Sequence, residues 1–438
     1  MVSFVNSGRS GGLRANCLRV VLVSHGHPEL SIGGAESAAY TLFRQLRSDP
    51  HVEAQFLAWA PPDGAGDPPS IQPYCERTDE FLFRAHGFDE FLLSQGAEAT
   101  TVLSRAIAAF EPHVVHLHHY LNIGVDLLGA LRRLRPEPKL FVTLHEYRAI
   151  CHHHGLMVKT HGAALCERAD DGVCSACFPA VTPAAFARRR VRVRHFLDQA
   201  DRLLAPSRFL RRRYVDWGID PRRITVIENG VDGTPGTPAP DTRLDPGADG
   251  ATVSGNELPC RFGFFGQINP FKGLHCLLAA LDRAAVELPD IHLSIHGAHF
   301  EANDPSYIEL INGLIDRQRE RIRFAGPYRP ADLGPLMRAV DWVVVPSLWW
   351  ENSPLVIEEA LSQRRPVLCS ALGGMKEKVR PGKDGLHFPA GDPSALASLM
   401  LRVARDRPLW QRLQKTMRKP MTATESADRH LRLYQGQN

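Results

Sequence analysis

Short apolar runs alternate with amphipathic stretches along the first half of the chain. Residues 18–24 are almost continuously apolar, which is typical of a parallel strand buried on both faces. Further short apolar runs lie at 52–59, 113–117, 140–144 and 203–205, and helix-like segments such as 36–46, 98–110 and 186–199 separate most of them. Strands joined by helices in this way predict a parallel sheet with right-handed crossovers.

The alternation stops at residues 233–257 and then begins again. This segment is dense in Pro, Gly, Asp and Thr and offers little to bury, so we interpret it as a linker. Apolar runs resume at 261–265, 291–295, 321–324, 342–345 and 366–369. We therefore predict an α/β protein with two doubly wound, Rossmann-like domains, residues 17–232 and 258–405, that face each other across a cleft. A C-terminal helical segment, residues 406–438, is expected to pack back on the N-terminal domain.

Length and composition agree with this organisation. A chain of 438 residues is too long for one efficient hydrophobic core, and 44% apolar with 23% charged residues is an ordinary globular balance. Residues 1–16 contain no apolar run of signal-peptide length, and no segment approaches the roughly 20 apolar residues of a membrane span. We expect a cytoplasmic protein, or one that sits peripherally on the inner face of the membrane.

The positive charge is concentrated in one stretch. The net charge of +4 is too small to imply nucleic acid, but ten arginines and only two aspartates lie between Arg188 and Arg213. The stretch is either a solvated helical face or a surface that attracts an anionic membrane or a phosphate-bearing acceptor. Few aromatic residues interleave with the arginines, so we expect no nucleic-acid partner.

A glycine pair, Gly33-Gly34, follows the first predicted strand and opens a helix. Glycines there let backbone approach a ligand, and a helix N-terminus presents free N–H groups to an anion. A plain tight turn has the same pattern. The third glycine of a dinucleotide fingerprint is missing, which excludes that motif.

Two loops in the second half carry charged residues directly after buried strands. In the first, Lys272 and Gly273 come at the mouth of a helix, which suits a diphosphate, although a surface lysine after a turn would look the same. In the second, Glu351 lies in a loop, and Glu358 and Glu359 lie on the helix that follows. Carboxylates accept hydrogen bonds from the vicinal hydroxyls of sugars. Because Glu358 and Glu359 point to different helix faces, we expect only one of them at the site and the other in solvent.

These motifs occur in an ordered series that resembles glycosyltransferase family 4, the retaining group with the GT-B fold. The matching stretches are Gly33–Glu36, Val114–His118, Thr143–Tyr147, Ala205–Phe209, Ile224–Asp232, Gly266–Gly273 and the pair Glu351 and Glu359. They extend over roughly residues 18–406. Each match alone is weak, but the ordered series is specific.

The resemblance implies a role for each matching residue. Gly33 and Gly34 would face the donor phosphates and the anomeric carbon, and His145 would lie near the transferred sugar. Lys272 would neutralise the diphosphate, Glu351 would hold sugar hydroxyls, and backbone N–H groups near Ser353 and Leu355 would contact sugar or phosphate. Glu359 would bind the ribose, and Tyr328 would lie near the base. The group taken as catalytic is His145, Lys272 and Glu351. No catalytic metal and no protein nucleophile are expected, since the family's chemistry rests on positioning and on stabilising the leaving diphosphate.

Two residues depart from the family pattern. Gln267, which the resemblance places among the donor-binding residues, stands where an arginine is usual, so one cation of the diphosphate site is missing. The usual histidine–aspartate pair is His145-Glu146 here. The predicted function is transfer of a sugar, with retention, from a nucleotide-diphosphate donor to a glycan, lipid-linked or small-molecule acceptor in surface polysaccharide or glycoconjugate synthesis. The alternatives are a sugar-nucleotide 2-epimerase and a non-catalytic nucleotide-sugar-binding protein of the same fold.

Histidines and cysteines near His145 leave more than one interpretation open. His116, His118 and His119 come at a strand end, where they either touch substrate or are satisfied structural groups. The spacing of Cys151, Cys166, Cys174 and Cys177 resembles a structural zinc site with four thiolate ligands. Unmetallated thiols, an iron–sulfur cluster and a disulfide are the other candidates.

Overall fold

The computed structural model describes residues 17–31, 33–162, 164–232, 260–298 and 300–437. The predicted linker, 233–257, lies outside the described residues. The chain divides into two compact units, Met1–Asp232 with Thr422–Asn438, and Gly233–Met421.

An eight-stranded sheet forms the centre of the first unit. Its strands are β1 (Leu18–Ser24), β2 (Val52–Ala60), β3 (Ser70–Pro73), β4 (Glu80–Arg84), β5 (Val114–Leu117), β6 (Lys139–Thr143), β7 (Arg202–Ala205) and β8 (Ile224–Val226). They lie in the order β3-β4-β2-β1-β5-β6-β7-β8, and all neighbours are parallel except β3 and β4. Val20–Val23 of β1 are at most 1% exposed, as the continuous apolar run predicted.

Helices cover this sheet. They are α1 (Gly34–Ser48), α2 (Ala97–Ala109), α3 (Asp126–Leu131), α4 (Asp171–Cys177), α5 (Pro183–Leu197) and α6 (Arg208–Asp216). Leu42, Phe43 and Leu46 of α1 pack against Val20 and Phe56 of the sheet in one buried cluster. The amphipathic period of α1 is therefore satisfied by one face of the sheet.

A six-stranded, fully parallel sheet forms the centre of the second unit. Its strands are β9 (Cys260–Phe265), β10 (Ile291–His296), β11 (Ile322–Gly326), β12 (Trp342–Val345), β13 (Val367–Ser370) and β14 (Gly385–Phe388), in the order β11-β10-β9-β12-β13-β14. Its helices are α7 (Leu274–Ala284), α8 (Pro305–Asp316), α9 (Leu333–Arg338), α10 (Leu355–Ser362), α11 (Gly373–Lys378), α12 (Pro393–Arg405) and α13 (Arg407–Thr416). Two buried clusters, one around Phe262 and Leu277 and one around Val343 and Ile357, show that helices pack on this sheet in two separate cores. The predicted α/β class with two Rossmann-like sheets is confirmed.

The C-terminal segment is divided between the two units instead of returning as one piece to the first. Trp410 of α13 is buried in a core cluster of the second unit and donates from its indole Nε1 to the Asp341 carbonyl at 3.0 Å. The last helix, α14 (Ala423–Tyr434), packs on the first unit, where Ala427 and Tyr434 join the core of β1 and α1. The boundary between the two units therefore falls within this segment, after Met421.

Strand order reverses at one point in each sheet, and ligands of open parallel sheets bind beyond the carboxyl ends of the strands at such a point. In the second unit the reversal lies between β9 and β12, and in the first it lies between β1 and β5. These two places contain the loops that carry most of the predicted site residues.

Candidate functional site

In the second unit, the loop after β9 is built around a short 3-10 turn, Pro270–Lys272. The Asn269 side chain accepts hydrogen bonds from the backbone N–H groups of Phe271 and Lys272 at 3.0 and 3.1 Å. Gly273 has φ +71°, and a Cβ there would collide with the Pro346 carbonyl oxygen at the end of β12. A glycine is therefore needed where the β9 and β12 loops meet.

Lys272 and Glu351 form the centre of this site. Lys272 Nζ lies 2.7 Å from Glu351 Oε1, and the same oxygen accepts hydrogen bonds from Ser347 Oγ at 2.8 Å and Trp349 Nε1 at 2.9 Å. Burial alone would raise the pKa of Glu351, but the Lys272 charge and the three hydrogen bonds outweigh it and lower the pKa below 4.5. Glu351 is thus a buried, ionised acceptor whose three donors all use one of its two oxygens.

The lysine keeps donors for a ligand. An ammonium group has three hydrogens, and the contact with Glu351 uses one of them. Lys272 Nζ also lies 5.6 Å from the centre of the Trp349 ring, within cation–π distance. The pair can therefore present a positive charge and a negative one to a ligand at the same strand ends.

The helix that follows shows which of its two glutamates is available. Burial, and then the negative charge of Glu358, raise the pKa of Glu359 to about 7. Glu358 itself is 1% exposed, and its Oε1 lies 2.6 Å from Arg418 Nη2 and 3.3 Å from Lys378 Nζ. The expectation that one of the two glutamates lies in solvent is wrong. Glu358 is buried, and Lys378 and Arg418 from later parts of the chain contact it.

A second glycine pair supports the Glu351 loop. Gly374 N donates to the Glu351 carbonyl at 2.6 Å, and a Cβ on Gly374 would collide with the Asn352 carbonyl. Next in the chain, Ser353 Oγ is buried and has no hydrogen-bond partner among the described residues, and Leu355 begins α10. The Ser353 hydroxyl and the N-terminus of α10 are thus the polar groups of this loop that a ligand could satisfy.

Burial, and then the charge of the nearby Glu359, raise the pKa of the Tyr328 phenol. Its ring is edge-on to Phe265 and His296, at 6.1 and 6.4 Å between ring centres. Gln267, by contrast, is an exposed residue of the β9 loop. The second unit therefore brings Lys272 and Glu351 into contact and places Tyr328 and Glu359 within electrostatic range of each other.

In the first unit, buried histidines gather beyond the ends of β5 and β6. His118 Nδ1 lies 3.2 Å from His145 Nε2, and the two rings are stacked at 5.4 Å. Burial, and then the nearby His25, lower the pKa of His145 to about 3, so its imidazole is neutral at physiological pH. A neutral imidazole can donate a hydrogen bond to a sugar hydroxyl without adding charge.

The other two histidines of the β5 end have protein partners. His116 Nδ1 lies 2.6 Å from Tyr434 Oη and its Nε2 lies 2.7 Å from Thr143 Oγ1, so both ring nitrogens are satisfied. His119 Nε2 lies 3.3 Å from Glu146 Oε1. His116 is a structural group, and of the three histidines His118 is the one in contact with His145.

Glu146, which stands in place of the family's aspartate, is directed to its own loop. Its carboxylate accepts from the backbone N–H of Arg148, and burial raises its pKa to about 7. A Cβ on Gly155 would collide with this carboxyl group. The longer side chain therefore ties the start of the loop after β6 to the residues that follow it.

Glu36 lies against the Gly33-Gly34 turn, and the sequence analysis did not identify it as a site residue. Its carboxyl lies 3.2 Å from His25 Nε2 and 3.3 Å from Ser31 Oγ, and a Cβ on Gly33 would collide with it. Burial opposes its ionisation, but the contact with His25, a backbone hydrogen bond and the contact with Ser31 together outweigh burial and lower the pKa of Glu36. The Glu36 carboxylate thus already lies at the N-terminus of α1. Its negative charge would accept a hydrogen bond from a ligand hydroxyl but would repel a phosphate. An acidic residue in the first helical turn was the signal.

The four clustered cysteines line a single pocket together with His152, His153, Val158 and Phe178. Within the described residues, no group of three or more His, Cys, Asp or Glu side chains is arranged to hold a metal ion. All nine cysteines are free thiols. A disulfide among these four is therefore not formed in this structure, and zinc stays a prediction.

Most arginines of the arginine-rich stretch form hydrogen bonds within the first unit. Seven of its ten arginines donate hydrogen bonds there: Arg189, Arg190, Arg192, Arg194, Arg202, Arg211 and Arg213. The exposed ones are Arg188, Arg208 and Arg212. Among the residues that the structure describes, we find no helix with the length and apolar content that crossing a bilayer requires.

Solved structures share the fold. A sucrose-phosphate synthase from Thermosynechococcus elongatus superposes with a TM-score of 0.68 at 20% identity, covering 96% of this chain and 98% of that one. Anabaena HepE, solved with UDP and glucose, gives a TM-score of 0.64 at 18% identity over 96% and 99% of the two chains. The fold and the site geometry together define a protein of the GT-B class.

Family models identify the family. The model for Glycosyltransferase Family 4 matches residues 32–234, and the model for Glycosyl transferases group 1 matches residues 259–406. The chain belongs to this glycosyltransferase family. A D-inositol 3-phosphate glycosyltransferase of Mycobacterium sp. (strain JLS) is 30% identical over 306 residues, which are 68% of this chain and 61% of that protein. A relative with the same description from Mycobacterium tuberculosis (strain ATCC 25177 / H37Ra) is 32% identical over 290 residues, 64% of this chain and 52% of that protein. The chain thus spans about half to three fifths of the length of these relatives.

Proposed function

We propose that this protein is a retaining glycosyltransferase that moves a sugar from a nucleotide-diphosphate donor to a glycan, lipid-linked or small-molecule acceptor. The observation that carries the proposal is the ion pair of Lys272 and Glu351 at the strand reversal of the second unit. A diphosphate needs a cation and a sugar needs hydroxyl acceptors, and this pair offers both at one place.

The donor would be held by groups of the second unit. Lys272 would stabilise the charge that develops on the leaving diphosphate, and the second oxygen of Glu351 would accept from sugar hydroxyls. The buried Ser353 hydroxyl and the backbone at Leu355 would donate to the sugar or phosphate, and Glu359 would accept from the ribose. Tyr328, which lies near Glu359, would then border the base.

The first unit would supply the acceptor side and one contact to the transferred sugar. The neutral imidazole of His145 would donate to a sugar hydroxyl, and the ionised carboxylate of Glu36 would accept one. No protein nucleophile is required, because the leaving phosphate can take the proton of the acceptor hydroxyl on the same face of the sugar. Rate enhancement would come from positioning and from charge stabilisation.

The similar proteins suggest which ligands to test first. HepE was solved with UDP and with UDP-glucose, so uridine diphosphate sugars are the first donors to try. The mycobacterial relatives are inositol 3-phosphate glycosyltransferases, so phosphorylated polyols are acceptors to include beside glycans and lipid-linked sugars. A role in surface polysaccharide or glycoconjugate synthesis, at the inner face of the membrane, is part of the same proposal.

The test has two stages. A panel of nucleotide sugars is first screened for thermal stabilisation, since a ligand specific for the folded state raises the melting temperature by mass action. The stabilising donor is then incubated with an acceptor panel, and the anomeric configuration of the product is measured by NMR. An α-linked product from an α-linked donor supports the proposal. A donor isomerised without any acceptor would indicate the epimerase, and binding without turnover would indicate a non-catalytic protein.

A further inference from the structure

Four cysteines from three separate pieces of the chain converge on one pocket of the first unit. Cys151 closes a turn, with its N–H donating to the Tyr147 carbonyl at 2.7 Å. Cys166 lies on a small hairpin held by the bridge between Val158 and Leu165. Cys174 and Cys177 are one turn apart on α4, so their side chains share a helix face. We propose that this pocket binds one zinc ion through the four thiolates.

Three cations lie within electrostatic range of the four-cysteine pocket. Arg189 is 2% exposed, interacts electrostatically with Cys151 and Cys174, and has an Nε with no hydrogen-bond partner among the described residues. Lys159 and Arg213 interact in the same way with Cys166. A zinc ion with four thiolates carries two negative charges, which these cations would balance.

Glu146 is the other group that could balance the charge of Arg189. Its pKa is raised to about 7 by burial, so near neutral pH it is only partly ionised. Arg189 also donates to the carbonyl oxygens of Arg148 and Ala149. These contacts hold the guanidinium in place beside Cys151 and Cys174.

The energetics of α4 point in the same direction. This helix of seven residues buries none of its side chains. It is held by the Asp170 cap on Val173 N at 2.8 Å, by Thr160 Oγ1 on the Cys177 carbonyl at 2.7 Å, and by the ion pair of Arg190 with Asp171. Metal coordination would supply the stabilisation that burial does not, since binding and local folding are one process in such loops.

Loading follows from the chemistry of the ligands. No three side chains of the described part are yet placed to share an ion, so the thiols must rotate toward the pocket centre as the metal enters. Each cysteine loses its proton and forms one bond to zinc. One Zn²⁺ and four thiols therefore give one tetrathiolate site and four released protons, with no change of oxidation state.

A loaded site would fix the loop that follows His145. Cys151 N binds the Tyr147 carbonyl, Tyr120 Oη accepts from Ala149 N at 3.0 Å, and Tyr214 Oη donates to the Glu146 carbonyl at 2.8 Å. The backbone from residue 146 to residue 151 thus ends at the pocket, at Cys151, and is held by Tyr120, which follows β5, and by Tyr214 of α6. Resting on the proposed function, this makes zinc a determinant of acceptor use and not of donor binding.

The experiment measures metal content directly. Protein purified without chelators or added metal is analysed for zinc by mass spectrometry, beside a Cys174→Ser/Cys177→Ser variant and a matched Cys17→Ser/Cys75→Ser control from the same unit. We expect about one zinc per chain in the wild type and the control, and less than about 0.2 in the pocket variant. Replacement by Co²⁺ in wild-type protein should give the visible and near-ultraviolet absorption of a tetrahedral cobalt thiolate.

The outcomes separate the alternatives even if the pocket variant folds poorly, because the wild-type protein decides. Wild-type protein with less than about 0.2 zinc and four thiols that react under native conditions would overturn the proposal. A brown protein that contains iron would replace it by an iron–sulfur cluster, and a mass lower by two hydrogens would replace it by a disulfide. Nucleotide-sugar binding, measured on the same samples, reports separately on the proposed function and should be unchanged by zinc removal.

Discussion

Lys272 is the residue on which the proposed donor site depends most, because its ammonium group supplies the positive charge. Lys272→Ala removes the charge that would stabilise the leaving diphosphate and leaves Glu351 buried without its counter-ion. We expect turnover to fall at least about tenfold, a loss of ~1.4 kcal/mol or more in transition-state stabilisation. Initial rates with the natural donor measure this. Lys415→Ala, which removes an exposed lysine of α13, is the matched control, and a Lys272→Ala rate within a factor of about two of wild type would contradict the assignment.

Glu359 should make donor binding depend on pH. Its pKa of about 7 means that the carboxyl is largely protonated below neutrality and becomes a stronger acceptor for ribose hydroxyls as the pH rises through that value. Affinity for the nucleoside diphosphate should therefore increase between about pH 6 and pH 8 in the wild type. Glu359→Gln cannot titrate and should show only the ionisation of the diphosphate itself. Calorimetric titrations of both proteins across this range test the idea, which fails if the two pH profiles superimpose.

At the scale of single elements, α10 is anchored by a buried ionic triad. Glu358 is held between Lys378 of α11 and Arg418, which follows α13. Glu358→Gln would leave the Lys378 ammonium, 2% exposed, beside a neutral amide, and breaking a buried pair in this way costs about 3 kcal/mol. Urea unfolding should show that loss. The double variant Glu358→Leu/Lys378→Met should recover part of it, because both buried charges are gone.

The surface pair of Arg329 and Asp332 provides the comparison for the triad. The two side chains are exposed and lie 2.8 Å apart, so Asp332→Asn should change stability by less than about 1 kcal/mol. If Glu358→Gln is no more destabilising than Asp332→Asn, the triad does not anchor α10.

The predicted membrane-binding surface is smaller than the whole arginine-rich stretch of residues 188–213. Only Arg188, Arg208 and Arg212 of the stretch are exposed, so any attraction to anionic lipid should be modest and should disappear as salt screens it. Sedimentation with anionic and with neutral vesicles at low salt measures the difference. The triple change Arg188→Gln/Arg208→Gln/Arg212→Gln should abolish the preference for anionic vesicles. Equal binding of wild-type protein to both kinds of vesicle would leave these arginines as a solvated face.

At the scale of the whole molecule, the strands with continuous apolar runs were predictable and the marginal ones were not. β1 has four fully buried apolar residues in a row, whereas β3 is a mostly exposed edge strand and β4 has only Phe81-Leu82-Phe83 between charged residues. Such short or polar segments carry little periodic signal. Their strand state comes from pairing, of β4 with β2 and of β3 with β4, which only the folded chain provides.

The residues of the candidate site likewise include some that the sequence predicts and some that it does not. Lys272 and Glu351 were predictable because each follows a buried strand, and adjacent parallel strands bring their ends together. The contacts of Glu358 and Glu36 were not predictable. A helical-wheel argument places Glu358 away from Glu359 but cannot show Lys378 and Arg418, which arrive from 20 and 60 residues further along the chain. The meeting of Glu36 with His25 likewise depends on how the loop after β1 closes on α1.

The last helix, α14, connects the end of the chain to the proposed acceptor side. Tyr434 is 1% exposed, its hydroxyl lies 2.6 Å from His116 Nδ1, and Lys139 Nζ donates to its carbonyl at 2.9 Å. His116 in turn contacts Thr143, two residues before His145. The helix starts where Ala423 N donates to the Val231 carbonyl at 3.0 Å. The core of the first unit is therefore completed by residues that come after the whole of the second unit.

A chain shortened after Met421 should lose the first unit selectively. Removing the buried Tyr434, Ala427 and His430 exposes the core beside β1 and α1 and should cost at least about 3 kcal/mol. Sugar transfer should be lost, while the second unit, which carries Lys272, Glu351 and Glu359, should still bind nucleoside diphosphate in calorimetric titrations. A chain shortened after Gln435 loses the exposed Gly436 and Gln437 and the final residue, and it should keep wild-type transfer. If the chain shortened after Met421 transferred sugar at the wild-type rate, α14 would be dispensable and the histidines near His145 would not depend on it.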